Sequence, residues 1–196
     1  MSRFLVLDSG PLGLLTHPQR NAEVVAITEW LSRCLLSGHR VIIPAIVYYE
    51  LKRELLRANK GFGVARLEAF ATTTPGRYLP LSDEALRLAA ELWAKARQQG
   101  RPTADVKDLD IDVILAAQAL SFGPAPSDVV VATSNAKHLS QFITAQNWSE
   151  ILPKWGLLAF TSLQRLNSNR PASYTHSRGA VLLHEEGRFH DRHLVA

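Results

Sequence analysis

The chain has 196 residues, 46% of them hydrophobic and 20% charged, which is enough apolar material for one sizeable core and too much for a wholly disordered chain. Lys and Arg number 22 against 18 Asp and Glu, giving +4 and a sequence pI near 9.5, compatible with a polyanionic partner without requiring one. The single cysteine, Cys34, excludes an intrachain disulfide and a cysteine-rich zinc site, reads as a buried structural thiol and fits a reducing, cytoplasmic setting; no apolar run nears the roughly 20 residues of a membrane span.

In chain order, Phe4 to Leu7 is a short apolar strand that the turn formers Ser9-Gly10-Pro11 halt, leaving Asp8 at its carboxyl end. A helix is predicted from Ala22 to Leu36, with Asn21 as N-cap, Val24, Ile27, Leu31 and Leu35 at helical spacing, and Gly38 as its stop. Val41-Ile42-Ile43 is a second buried strand, and Pro44 suits the first turn of a helix running through Glu50 to Leu56. Tyr78 to Leu81 is a third strand, followed by a helix signposted by Ser82, by Asp83 and Glu84 in its first turn, by Lys95 and Arg97 in its last, and by Gly100 beyond. After a polar loop over 98–107, Ile111 to Leu120 is too apolar for a surface helix; Asp128 to Thr133 is another buried strand and Trp155 to Thr161 a final one. Strands alternating with helices predict an α/β fold with a mainly parallel sheet covered on both faces, whose ligands bind outside the strands' carboxyl ends. From about Leu166 neither apolar period persists, so we expect one domain over residues 1–163 and a polar tail over 164–196.

Four polar sites fall at strand ends or helix starts. Asp8 closes an otherwise apolar strand, either as a turn or cap aspartate or as a carboxylate facing a cation. Glu50 either sits on a helix surface paired with Arg53 or faces the same ion. The run Asp108-Leu109-Asp110-Ile111-Asp112 precedes an apolar helix, where acids are favourable caps, and Thr133-Ser134-Asn135 closes a strand with small polar groups.

These segments together resemble the PIN-domain family, the fold of many toxin ribonucleases of bacterial toxin–antitoxin pairs. The matching stretches are Phe4-Leu-Val-Leu-Asp8-Ser-Gly-Pro-Leu12, Ile43-Pro-Ala-Ile-Val-Tyr-Tyr-Glu50-Leu, Asp112-Val-Ile-Leu-Ala-Ala-Gln-Ala119 and Val131-Ala-Thr-Ser-Asn135. The resemblance covers about residues 3 to 161 and leaves the tail outside it. The resemblance implies a three-layer α/β/α sandwich and a metal-dependent ribonuclease of the VapC type. It further implies that Asp8, Glu50 and Asp112 bind one or two Mg²⁺ or Mn²⁺ ions and that Asn135 completes the pocket. Asp112 is carried over rather than Asp110 because it stands three residues before Leu115-Ala116-Ala117, and residues two apart on a helix point about 200° from each other. Asp108, four residues back, shares the face of Asp112 if the helix starts early. Asn135 departs from the aspartate of many relatives, and an amide brings a carbonyl oxygen but no charge. An antitoxin partner and a homodimer are implied by the resemblance alone.

Hydrolysis of RNA would need a positive surface beside these acids, and Lys52, Arg53 and Arg57, on the helix after Glu50, are the candidates, as is the alternative of a solvated helix face. A haloacid-dehalogenase-like phosphatase requires a second aspartate where Gly10 stands, and a serine hydrolase built on Ser9 would need glycine where Leu7 stands. The competing function is a catalytically inactive PIN-like module that binds RNA or protein, for which Asn135 is the sign of a weakened site.

Overall fold

The structure is a computed structural model; it describes residues 3–99 and 106–152, and for 106–108 the backbone alone. Strand β1 (Phe4–Leu7), buried at Leu5, Val6 and Leu7, runs directly into helix α1 (Ser9–Thr16). That helix replaces the predicted turn. Pro11 is its third residue, inside the first turn, where the missing N–H has no intrahelical partner to lose. Helix α2 (Ala22–Leu36) follows as the sequence predicts: Asn21 Oδ1 accepts from Val24 N at 2.9 Å and Gly38, just past the end, takes the left-handed φ of +81° that glycine tolerates.

Strand β2 (Arg40–Pro44) leads into α3 (Ala45–Arg57), with Pro44 closing the strand as N-cap instead of opening the helix. Helix α4 (Gly61–Thr72) has no counterpart in the sequence reading, β3 spans only Tyr78–Leu79, and α5 (Asp83–Gln98) is capped as predicted by Ser82 Oγ, which accepts from Ala85 N at 3.1 Å. Helix α6 (Val106–Leu120) begins five residues before the predicted Ile111, so Asp108, Asp110 and Asp112 lie along the helix and not ahead of it. Strand β4 (Val129–Thr133), the short α7 (Ala136–Leu139) and an unpredicted β5 (Ala145–Asn147) complete the described residues. The strand expected at Trp155 to Thr161 and the tail from residue 164 lie outside them.

All four strand pairings are parallel, in the order β3-β2-β1-β4-β5. Leu5 stands between Val41 of β2 and Val130 of β4. The central strands are buried along their length apart from Phe4 and Arg40 at the starts of β1 and β2, as a sheet covered on both faces requires. Helix α1 touches α2, α3 and α4, while α5 lies along α6 through Leu109 and Val113 and through Ala89, Ala96 and Ala117, whose small side chains permit close approach. The result is the expected three-layer α/β/α sandwich. Chain order reverses at β1, which is followed on one side by β2 and on the other by β4, so a crevice opens at the carboxyl ends of β1 and β4. Among the described residues no helix is long and apolar enough to cross a membrane.

Candidate active site

Each polar residue at the crevice is placed by a different element. Asp8 follows β1 directly, and its backbone N–H, donating to Ala132 O at 3.0 Å, continues the β1–β4 ladder. Its carboxylate is held at both oxygens: Oδ1 accepts from Ser9 N at 2.7 Å, and Oδ2 accepts from Thr133 Oγ1 at 2.6 Å. Asp8 is therefore a helix cap and a member of the crevice at once. A carboxylate has about four acceptor directions, so these bonds fix its orientation and leave capacity for a cation.

Thr133 ends β4 and is fully buried; its Oγ1 also accepts from Asn135 N at 3.0 Å. One hydroxyl thus sets both the Asp8 carboxylate and the backbone of Asn135. Of the small polar groups that close this strand, Thr133 is committed to the protein. Ser134 is exposed and lies against α1, where a Cβ on Gly10 would stand 2.9 Å from Ser134 Oγ. Glycine at position 10 lets this loop approach the start of α1.

Glu50 comes from the second turn of α3 and Asp112 from the second turn of α6, both half-buried, and Asn135 is the N-cap residue of α7. Asp8, Glu50, Asp112 and Asn135 line one cavity of about 210 Å³, together with Ser9, Ile111, His138 and Leu139. Residues 127 positions apart in sequence, from Asp8 to Asn135, thereby share one wall. His138, which the sequence reading did not single out, adds an imidazole; its spacing three residues after Asn135 on a short helix was the available signal. Asp110 goes elsewhere, lining a shallow groove between α5 and α6 with Leu86 and Trp93, as the 200° argument requires.

The basic residues do not join the cavity wall. Lys52 Nζ is 2.7 Å from Glu68 Oε1 and donates to Tyr48 Oη at 3.2 Å; the bond to Glu68, then that to Tyr48, raises its pKa above the ordinary lysine value. Arg57 Nε lies 2.8 Å from Glu54, which also stands 3.7 Å from Arg53. Arg53, which one of the two sequence readings set beside Glu50, thus stands next to Glu54. The structure therefore spends these three cations partly on local acids, in exposed pairs worth little individually.

The lining donors are three carboxylates, an amide carbonyl, the Ser9 hydroxyl and the His138 imidazole, with no thiolate, and the oxygen donors among them fit a hard divalent cation. Among the described residues, however, no three His, Cys, Asp or Glu side chains stand close enough to hold an ion by themselves.

No family model and no curated protein matches the chain. Solved structures do. The chain is similar to one in the complex of VapBC2 from Rickettsia felis bound to a DNA fragment from their promoter, at 17% identity and a TM-score of 0.56, covering 74% of this chain and 98% of that one. The fold is PIN-like. The same likeness extends to FitAcB from Neisseria gonorrhoeae, at 20% identity and a TM-score of 0.55 over 75% of this chain and 99% of that one. DNA-bound VapBC from Salmonella typhimurium gives 22% and 0.51 over 76% and 99%. In this PIN-like frame the carboxylate cavity occupies the crevice at the strand-order switch, the position at which open parallel sheets bind ligands.

Proposed function

We propose that this chain is a metal-dependent endoribonuclease that hydrolyses RNA phosphodiester bonds, acting as the toxin of a toxin–antitoxin pair. The observation that carries the reading is the convergence of Asp8, Glu50 and Asp112, from three separate elements, on one cavity. Carboxylates gathered in this way repel one another unless a cation or protons offset them. Mg²⁺ or Mn²⁺, when bound, supplies charge neutralisation of the phosphate and a lowered pKa for the attacking water.

The chain's own residues do the rest. Asp8, oriented by Thr133 and Ser9, and Asp112 would present carboxylate oxygens to the metal; Glu50 would bind it or accept a hydrogen bond from the attacking water, and Asn135 would hold a water through its carbonyl. Because no three described side chains suffice alone, water would fill part of the coordination, as Mg²⁺ prefers. The likeness to VapBC and FitAcB complexes supports an antitoxin partner, and a homodimer belongs to the same reading.

The test is cleavage of a structured RNA with Mg²⁺, with Mn²⁺ and with EDTA, by the wild type and by Asp8→Asn and Asp112→Asn. Cleavage should need metal and fail in both variants; undiminished metal-dependent cleavage in both would sink the proposal. Two observations favour a second reading, a PIN-like module that binds RNA without cutting it: Asn135 brings no charge, and no three described ligands stand at ion-binding distance. Such a module would retain RNA affinity with no cleavage at any metal concentration.

A further inference from the structure

The one polar residue within Val113 to Leu120, a run otherwise of apolar side chains, is Gln118. A buried amide must find partners for an acceptor and two donors, or it destabilises the fold. Gln118 is 1% exposed and finds three. Its Oε1 accepts from Ile46 N at 3.1 Å, and its Nε2 donates to Leu79 O at 3.1 Å and to Pro80 O at 3.2 Å.

These partners are not equivalent. Ile46 is the second residue of α3, one turn before Glu50. Helix α3 begins after Pro44, which offers no side-chain cap, so its first N–H groups depend on outside acceptors. Gln118 belongs to α6, the helix that carries Asp112. Leu79 and Pro80 end β3 and begin the connection to α5. One side chain therefore joins the start of the Glu50 helix, the Asp112 helix and the end of the outer strand.

We propose that Gln118 is a positioning residue for the carboxylate cavity: its amide clamps α3 to α6 and so fixes Glu50 relative to Asp112. This rests on the proposed metal-dependent reading. Both acids lie within two turns of the clamp, on rigid helices, so loss of the clamp transmits to their separation. Gln118 itself does not line the cavity. Its action is through the two carboxylates, which an apolar residue of similar volume could not provide.

The experiment compares the full-length wild type, Gln118→Leu, and Leu31→Ala, a core truncation in α2, which contributes no residue to the cavity wall. Mn²⁺ binding alone is measured by the loss of its free electron paramagnetic resonance signal, well below each protein's melting temperature. Exchange of the Ile46 amide is followed in the same proteins without metal. We expect Gln118→Leu to weaken Mn²⁺ binding roughly 10-fold, the lower end for residues that orient metal ligands from outside, and to speed exchange at Ile46. Leu31→Ala should lower the melting temperature and leave Mn²⁺ affinity unchanged.

Where leucine prevents folding, Gln118→Glu takes its place, keeping the acceptor for Ile46 while setting an oxygen against two carbonyls. Equal Mn²⁺ affinity in the folded Gln118 variant and the wild type overturns the positioning role while the nuclease reading stands. Equal weakening in Leu31→Ala overturns it too, as a generic effect of destabilisation. A wild type that binds no Mn²⁺ while Ile46 exchange still responds to Gln118 is a different result: the clamp exists, and both the metal site and the role assigned to the clamp there fail.

Discussion

Thr133 Oγ1 donates to Asp8 Oδ2 at 2.6 Å, joining the ends of two adjacent parallel strands through side chains as well as through the ladder. The bond is charge-assisted and its donor is buried. Thr133→Val keeps the shape and removes the hydroxyl, leaving Asp8 Oδ2 and Asn135 N each short of a partner. Expected is a loss of about 1–3 kcal/mol in urea unfolding, together with weaker Mg²⁺-dependent cleavage. Thr133→Ser should recover most of both. A valine variant as stable and active as the wild type would show that the hydroxyl orients nothing that matters.

Asp110 and Asp112 are two residues apart on α6 and face different cavities. Asp112→Asn should lower kcat/KM for RNA cleavage by at least about 100-fold, the upper end of what even supporting residues around a metal contribute. Asp110→Asn should stay within about twofold, since exposed substitutions away from a site usually cost little. The discriminating result is the ratio of the two losses. Equal losses would mean that Asp110 and Asp112 do not face different cavities in solution.

Asn135→Asp adds a fourth carboxylate to the cavity wall. Without metal the added charge repels Asp8, Glu50 and Asp112, on the order of 1 kcal/mol at neutral pH, so the melting temperature in EDTA should fall. With saturating Mg²⁺ the fourth acid becomes a ligand, and binding to the native state offsets the loss. Thermal melts in EDTA and in Mg²⁺ should therefore diverge more for the variant than for the wild type. Parallel shifts in both proteins would argue that no cation binds there.

Much of the frame was legible because local chemistry and burial agreed. Asn21, Ser82 and Gly38 announced their helix ends through side-chain oxygens and a left-handed φ, and β1, β2 and β4 stood out as apolar runs. The failures have a common cause. Gly10 and Pro11 ordinarily mark turns, yet at the first turn of α1 neither loses an intrahelical bond. Helix α4 contains two glycines, Gly61 and Gly63, the latter with Leu55 where its Cβ would be; the packing that favours it was invisible locally. The start of α6 at Val106 was hidden by polar residues that resemble a loop.

The site divides along similar lines. Asp8, Glu50, Asp112 and Asn135 could be proposed from four short motifs, but their common cavity required the strand order, which no local pattern carries. Gln118 had a readable signal, as the lone polar group of an apolar helix, whereas its partners Ile46, Leu79 and Pro80 did not. The pairing of Lys52 with Glu68 across the α3–α4 contact was equally beyond reach, because α4 had not been predicted.

Cys34 offers a prediction independent of the active site. It is fully buried and unpaired in α2, packed in the core with Ile27, Trp30 and Leu31. Burial pushes the thiol up from 9.0 to about 11, with Arg33 pulling slightly back. The folded chain therefore holds this proton more tightly than the unfolded chain does. The associated stability is present in full below pH 9 and is lost as pH rises from 9 through 11. Within that window the cost approaches about 1.4 kcal/mol per pH unit from this group. Cys34→Ala lowers stability overall by leaving a small cavity, but its stability should fall less steeply with pH across the window. Denaturant unfolding of both proteins from pH 8 to 11 compares the slopes, and parallel slopes would assign the alkaline loss to other groups. At pH 8 the native thiol should also resist alkylation except through unfolding, because the reactive species is the thiolate.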